Sequence, residues 1–284
     1  MNNGGATAGR ALLEARALTV RLGRRIVLDG IDLALGAGSL CALAGPNGAG
    51  KSTLLRALAG TVPLVSGGGR HAGMPAPLAH RAVARHIAYL PQDRTVHWDL
   101  SVARVVALGR MPHVAGNSGL SATDHAAIDR AMVRMDIGHL AHRPIREVSG
   151  GERARVLIAR ALAQETPVLL ADEPVAGLDP AHQLALFAHL RALASDGRAV
   201  VVALHDLSLA VRFADRVILM HQGRIAADGP PVMALSRDNI ARVFGIDSRL
   251  ADVWGVPVVV PLGPCRPDAG LLRAMTYGGP DGDS

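Results

Sequence analysis

Apolar residues recur along this chain in two rhythms. From Ala17 onward they alternate with polar ones, as in "LTVRLG" and "RIVLDGIDLAL", the period of strands with one buried face. Four later runs, "SLCALAG", "HIAYLPQ", "PVLLADEP" and "RAVVVALHD", are short and almost uninterrupted, which predicts strands covered on both faces. Between them lie stretches with helical spacing: "KSTLLRALAG", a region from about Val102 to Ala163, and "AHQLALFAHLRALA". Buried strands alternating with helices define an α/β fold with a parallel sheet. "DRVILMHQGRIAADG" predicts a final hairpin. Residues 1–9 are small and polar, and residues 263–284 are rich in Gly, Pro and Asp, so disorder is expected at both ends. There is no internal repeat and no heptad run.

Composition narrows the classes. With 284 residues and 49% hydrophobic content the chain is expected to be globular. The first twenty residues contain no apolar run ahead of their charges, so no signal peptide is expected. The longest early uncharged stretch, Leu33 to Gly50, carries five glycines, Pro46 and Asn47, and cannot form a spanning helix. Cys41 and Cys265 lie far apart, which fits a reducing compartment without a disulfide framework. The net charge is +6, but the arginines are scattered, and two Trp, two Tyr and three Phe give little material for stacking bases. Scattered surface charge is thus favoured over a nucleic-acid or anionic-membrane partner, but charge alone decides nothing.

One basic residue stands apart. The chain holds thirty Lys and Arg, and the single lysine among them is Lys51. It sits in Gly45-Pro46-Asn47-Gly48-Ala49-Gly50-Lys51-Ser52, which matches the phosphate-binding pattern G-x-x-x-x-G-K-[ST] and follows a predicted strand at the start of a predicted helix. The glycines let successive backbone N–H groups turn inward toward a phosphate, and the helix N-terminus adds partial positive charge. Lys51 then reaches the β and γ phosphates, Ser52 ligates Mg²⁺ and Thr53 supports the phosphates. A lysine fits this task because its ammonium is a compact charge on a flexible stem, where a guanidinium is a broad planar fork. The bland alternative is a glycine-rich turn before a helix, which the flanking elements disfavour.

"PVLLADEP" places Asp172 and Glu173 at the carboxyl end of a buried strand, where open α/β sheets bind ligands. Asp172 is expected to hold Mg²⁺ through water, and Glu173 to polarise the water that attacks a γ-phosphate. Further on, Ser149 and Glu152 in "VSGGE" form an S-x-x-E capping box. Gly150 and Gly151 follow that cap directly, and each costs up to about 1 kcal/mol relative to alanine in a helix interior. They make better sense if something approaches the backbone closely, which leaves a second anion-binding helix end in a chain whose first loop already holds the phosphates.

Together "GPNGAGKST", Gln92 in "YLPQD", "VSGGE", "VLLADEP", "GLD" at 177–179 and "LHD" with His205 stand in the order and spacing of the ATP-binding subunit of ABC transporters, and the chain resembles that family over about residues 15–260. The resemblance implies a P-loop core with a parallel sheet, an N-terminal antiparallel β subdomain and an inserted helical subdomain at about 93–163, within an ATPase domain at 10–262. It implies ATP and Mg²⁺ as ligands, Glu173 as catalytic base, Gln92 as sensor of Mg²⁺ and the attacking water, and His205 as the switch histidine at the γ-phosphate. It also implies an ATP-sandwich dimer in which Ser149, Gly150, Gly151 and Glu152 of one copy face the nucleotide of the other, with Asp179 a contact across that dimer. Two positions depart from the pattern: Val148 stands where the signature usually begins with Leu, and Leu22 stands where an aromatic residue often stacks on adenine. The second departure predicts relatively weak ATP/GTP discrimination.

With one motif set, no cysteine cluster and no fused membrane helices, the resemblance points to a separate ATPase subunit on membrane permease subunits, served indirectly by a substrate-binding protein, at the cytoplasmic face of the inner membrane. "DRTVHWDLSVARVVALGRMPH" and "DPAHQ" are most similar to the iron-siderophore, haem and cobalamin importer group. "HWDLSV" also resembles zinc and manganese importers, and soluble ABC ATPases acting on nucleic acid or ribosomes are a further alternative. His97 and His113 in that region have no metal-ligand spacing.

Overall fold

A computed structural model describes residues 11–71, 74–75, 80–93, 99–115 and 118–265. Of the expected disordered ends, residues 1–9 and residues 266–284 of the 263–284 tail lie outside the described residues, as does His97. The first strands are β1 (Ala11–Leu22), β2 (Arg25–Gly36) and β3 (Ser39–Ala44), followed by α1 (Lys51–Leu58). Then come β4 (Ser66–His71), β5 (Met74–Pro75), α2 (His80–Ala84) and β6 (Ile87–Leu90). Helices α3 (Val102–Ala107), α4 (Ala122–Arg134) and α5 (Gly150–Ala163) precede β7 (Val168–Asp172), α6 (Pro180–Ser195) and β8 (Ala199–Ala203). The chain continues through α7 (Leu207–Phe213), β9 (Arg216–His221), β10 (Arg224–Gly229), α8 (Pro231–Ala234), α9 (Arg237–Phe244), β11 (Ile246–Val253) and β12 (Val256–Pro264).

The apolar runs form the central six-stranded sheet in the order β10-β9-β3-β8-β7-β6, parallel throughout except for the edge strand β10. Its two faces serve two cores. Leu40, Ala42, Leu169, Ala171, Val200 and Val202 face the helical side with Val156, Phe187 and Leu190. Their strand neighbours Leu43, Leu170, Val201 and Ala203 face the other side, with Leu54 and Leu55 of α1 and the apolar positions of β1 and β2. Both alternating sets are apolar because each is covered, which is why these strands read as continuous runs. The amphipathic opening segment builds a separate antiparallel sheet, β2-β1-β4-β5. It starts at Ala11, ahead of the alternation first evident at Ala17.

Two readings are corrected. The helical stretch from Val102 to Ala163 is three helices, interrupted by one-turn 3₁₀ segments at Leu108–Arg110, Gly138–Leu140 and Ile145–Glu147. Pro112 and Pro144, which lack a donor, and Asp136 at φ 51° stop each helix from running into the next. The β9–β10 hairpin is also not the last: β11 and β12 form another, closed by Trp254 and Gly255, both at positive φ (54° and 79°). A two-residue turn of that hand matches the twist of its strands. β12 runs to Pro264, one residue past the expected start of the loose tail. No helix among the described residues is long and apolar enough to cross a membrane.

Candidate functional site

The loop leaving β3 wraps around the side chain of Lys51. Gly45 (φ 147°) passes so close to β9 that an added Cβ would lie 2.4 Å from the Met220 carbonyl oxygen, and Gly50 (φ 103°) begins α1 in a backbone region closed to larger residues. Lys51 is 5% exposed, and its Nζ donates to the carbonyls of Gly45 (2.7 Å) and Pro46 (3.1 Å). Burial pulls its ammonium below the ordinary value, while Glu173 and Asp172 oppose that shift. Asn47, Gly48, Ala49, Gly50, Lys51, Ser52 and Thr53 line a cleft of about 550 Å³ that also holds Gln92, Glu173 and His205. Four separated sequence motifs thus converge on one cavity. Leu22 does not line it; Val27 does.

Glu173 lies at the hub. Its Oε2 accepts from Gln92 Nε2 (2.9 Å), and its Oε1 meets His205 Nε2. Its backbone N–H donates to the Ala203 carbonyl at the end of β8 (3.2 Å), and its φ is 49°. A side chain other than glycine there costs on the order of 1–3 kcal/mol, a strain that the sheet beneath it sustains and that places the carboxylate in the cleft. Asp172, the preceding residue, is 2% exposed and faces the other way across the strand. Burial raises its pKa, opposed by the Ser52 hydroxyl and the Lys51 charge, and its Oδ1 has no hydrogen-bond partner. An orphaned buried carboxylate oxygen beside a serine hydroxyl suits a hard divalent cation. Among the described residues no group of three or more His, Cys, Asp or Glu forms a cage, so such a cation would take its remaining oxygens from phosphate and water, the habit of Mg²⁺.

The signature segment lies elsewhere. Ser149 Oγ accepts from Glu152 N–H (3.2 Å) and Glu152 Oε2 accepts from Ser149 N–H (2.8 Å), so the capping box forms. These bonds hold Glu152 below the usual carboxylate range. None of the four residues lines the phosphate cleft; Gly151 lines a separate hollow of about 290 Å³ between α5 and α6. Asp179 caps α6, accepting from His182 N–H (2.9 Å) and His182 Nδ1 (2.7 Å). The two glycines also differ: a Cβ at Gly150 would meet nothing within 4 Å, whereas at Gly151 it would strike the His182 ring.

Two residues here escaped the sequence reading. Tyr89, whose phenol is pushed up to about 12 by burial and by neighbouring Asp172, supports that carboxylate from β6; its signal was one hydroxyl in an apolar strand. His182 gave only its place in "DPAHQ". His113 serves packing, its Nε2 lying 3.0 Å from the Gln164 carbonyl at the end of α5.

A phosphate-binding loop after β3, faced by a carboxylate pair at the end of β7, with β8 between the two in one parallel sheet, defines a P-loop ATPase. The model of the ABC transporter family matches residues 28–176, and the chain belongs to that family as an ATP-binding subunit. It is 46% identical over 240 residues to the hemin import ATP-binding protein HmuV of Streptomyces coelicolor, covering 84% of this chain and 85% of that one. It is 43% identical over 262 residues to the cobalamin import ATP-binding protein BtuD of Halobacterium salinarum, covering 88% of this chain and 63% of that one. Among solved structures, an inward-facing putative metal-chelate type ABC transporter superposes with a TM-score of 0.78 at 26% identity, covering 89% of this chain and 98% of that one.

Proposed function

We propose that the chain is the ATP-hydrolysing subunit of an importer for a hemin-, cobalamin- or iron-siderophore-type chelate, bound to separate membrane permease subunits at the cytoplasmic face of the membrane and acting with a substrate-binding protein. The names of the relatives at 46% and 43% identity support the substrate class, and no feature of the cleft favours nucleic acid. The ATPase domain spans 10–262, and α3–α5 lie in a helical subdomain at about 93–163 that transmits nucleotide state to the permease.

In this reading the backbone of residues 45–50, with Lys51 and Thr53, would hold the β and γ phosphates, while Ser52, Gln92 and Asp172 would hold Mg²⁺, which would offset phosphate charge. Glu173 would take a proton from the attacking water, and His205 would contact the γ-phosphate. Gln92 and His205 hold the Glu173 oxygens in place for that task. The observation that carries the dimer is the separation of the two phosphate-seeking ends: the P-loop cleft contains none of residues 149–152, and Gly150 is open. A second copy brings its Ser149–Glu152 helix end to this cleft, with Asp179 crossing between the two sites. Glu173→Gln removes the proton acceptor at constant shape and is expected to lower turnover about 10²- to 10⁴-fold while trapping an ATP-bound dimer. Turnover and light scattering with ATP check both, and near-normal hydrolysis would reject Glu173 as base.

A further inference from the structure

We infer that His182 is a positioning residue that ties the Asp179 turn to the signature helix end within one protomer, and that position 151 is glycine because the His182 imidazole occupies the space of its side chain. The inference rests on the sandwich reading above for what Asp179 and Gly150 face.

Three observations converge. Gly151 has no conformational need to be glycine, since it lies inside α5 and is absent from the positive-φ residues, whereas an added Cβ would stand 2.5 Å from His182 Cδ2 and 2.9 Å from both Cγ and Nε2. Contact with three ring atoms means that the imidazole packs over the Gly151 α-carbon. The ring is also anchored: Asp179 Oδ2 accepts from Nδ1 at 2.7 Å while Oδ1 accepts from the His182 backbone N–H at 2.9 Å. These bonds hold the Asp179 carboxyl below the usual range, so it is an ionised acceptor and Nδ1 is the donor, leaving Nε2 on the Gly151 side. Finally, Asp179 is the N-cap of α6 with Pro180 next to it, so the turn that carries the carboxylate enters the helix at a fixed angle.

The chain of contacts therefore runs Asp179, His182, Gly151. In the sandwich reading the first and last members belong to two elements that both face the partner copy, and His182 fixes their relative position before any partner arrives. The sequence reading assigned both glycines to close approach by an outside group. Both keep that role, and Gly151 in addition leaves its side-chain space to the chain's own histidine.

A double-mutant cycle tests this. In the Glu173→Gln background, Gly151→Ala and His182→Ala are each expected to weaken ATP-driven dimerisation about tenfold or more, while ATP affinity of the monomer stays within about twofold because the P-loop is untouched. The double variant should be no worse than His182→Ala alone, because once the ring is gone the added methyl has nothing to strike. His182→Asn, which keeps a donor for Asp179 without the ring, should dimerise better than His182→Ala and should tolerate Gly151→Ala. Losses that multiply in the double variant would overturn the inference, as would a fall in Tm with no change in dimerisation. If Glu173→Gln alone fails to dimerise with ATP, the sandwich reading fails. The same cycle read on steady-state turnover with Glu173 intact still decides the coupling of Gly151 and His182.

Discussion

At the residue scale, charge and shape separate at Lys51. Every other basic residue is arginine, yet the one that enters the phosphate loop is an ammonium donating to two carbonyls of its own turn. A guanidinium needs more width than a side chain 5% exposed has there. Lys51→Arg is therefore expected to lower turnover at least about 100-fold despite the conserved charge, the scale of losing one preorganised donor; MgATP titration and phosphate release check it. Base recognition is the weaker feature. Leu22 and Ile26 are exposed (41% and 48%) and Val27 lines the cleft, so in the proposed reading adenine is expected to rest on aliphatic surface or an arginine, without a stacking ring. GTP is expected to compete with ATP within about tenfold, and a strong ATP preference in competition binding would contradict this. The phosphate-binding residues were legible because spacing alone names them. The left-handed backbone of Glu173 and the contact of Tyr89 with Asp172 were not, since each depends on what the neighbouring strands place beside it.

Element by element, helices α3, α4 and α5 are tied to one another by a buried ion pair. Arg110 follows α3 and donates to Asp124 of α4 (2.8 Å), to the Ala163 carbonyl at the end of α5 (2.6 Å) and to Glu165 (3.0 Å). Gly109 beside it leaves no room for a side chain against the Arg160 carbonyl. The Asp124 carboxyl is held well below the ordinary range by Ser121, its capping partner, and by Arg110. A folded pKa below the unfolded one stabilises the protein above the unfolded value, near 4, and that contribution is lost as pH falls through the folded value. The Tm deficit of Asp124→Asn should thus be full from neutral pH to about pH 5 and narrow below about pH 4; a deficit constant down to pH 2 would refute the assignment. Helix ends in this region were readable from Ser149 and Glu152. The Arg110 network was not, because partners on α4, at the end of α5 and in the loop after it leave no local pattern.

For the whole molecule, the β11–β12 hairpin backs the His205 loop. Ser208, in the first turn of α7, accepts from Val259 N–H of β12 (3.1 Å), and Phe213 at the other end of α7 stacks on Phe187 of α6 (4.7 Å between centroids). Removing residues 246–284 is expected to lower Tm by roughly 4 °C or more, at about 2–4 °C per kcal/mol, and to reduce turnover by loosening α7 behind His205; calorimetry and ATPase assays check it. What the sequence by itself determined was the parallel α/β core, the glycine-rich loop ahead of α1, the Asp172–Glu173 strand end and the capped helix start at Ser149. Each is written in consecutive residues, through period, spacing or a cap. Only the tertiary structure decided which distant side chains share the cleft, that residues 149–152 lie outside it, and that Gly151 yields its space to His182. Those facts depend on packing between elements far apart in the chain, and no local run of residues encodes a contact whose other half folds in from elsewhere.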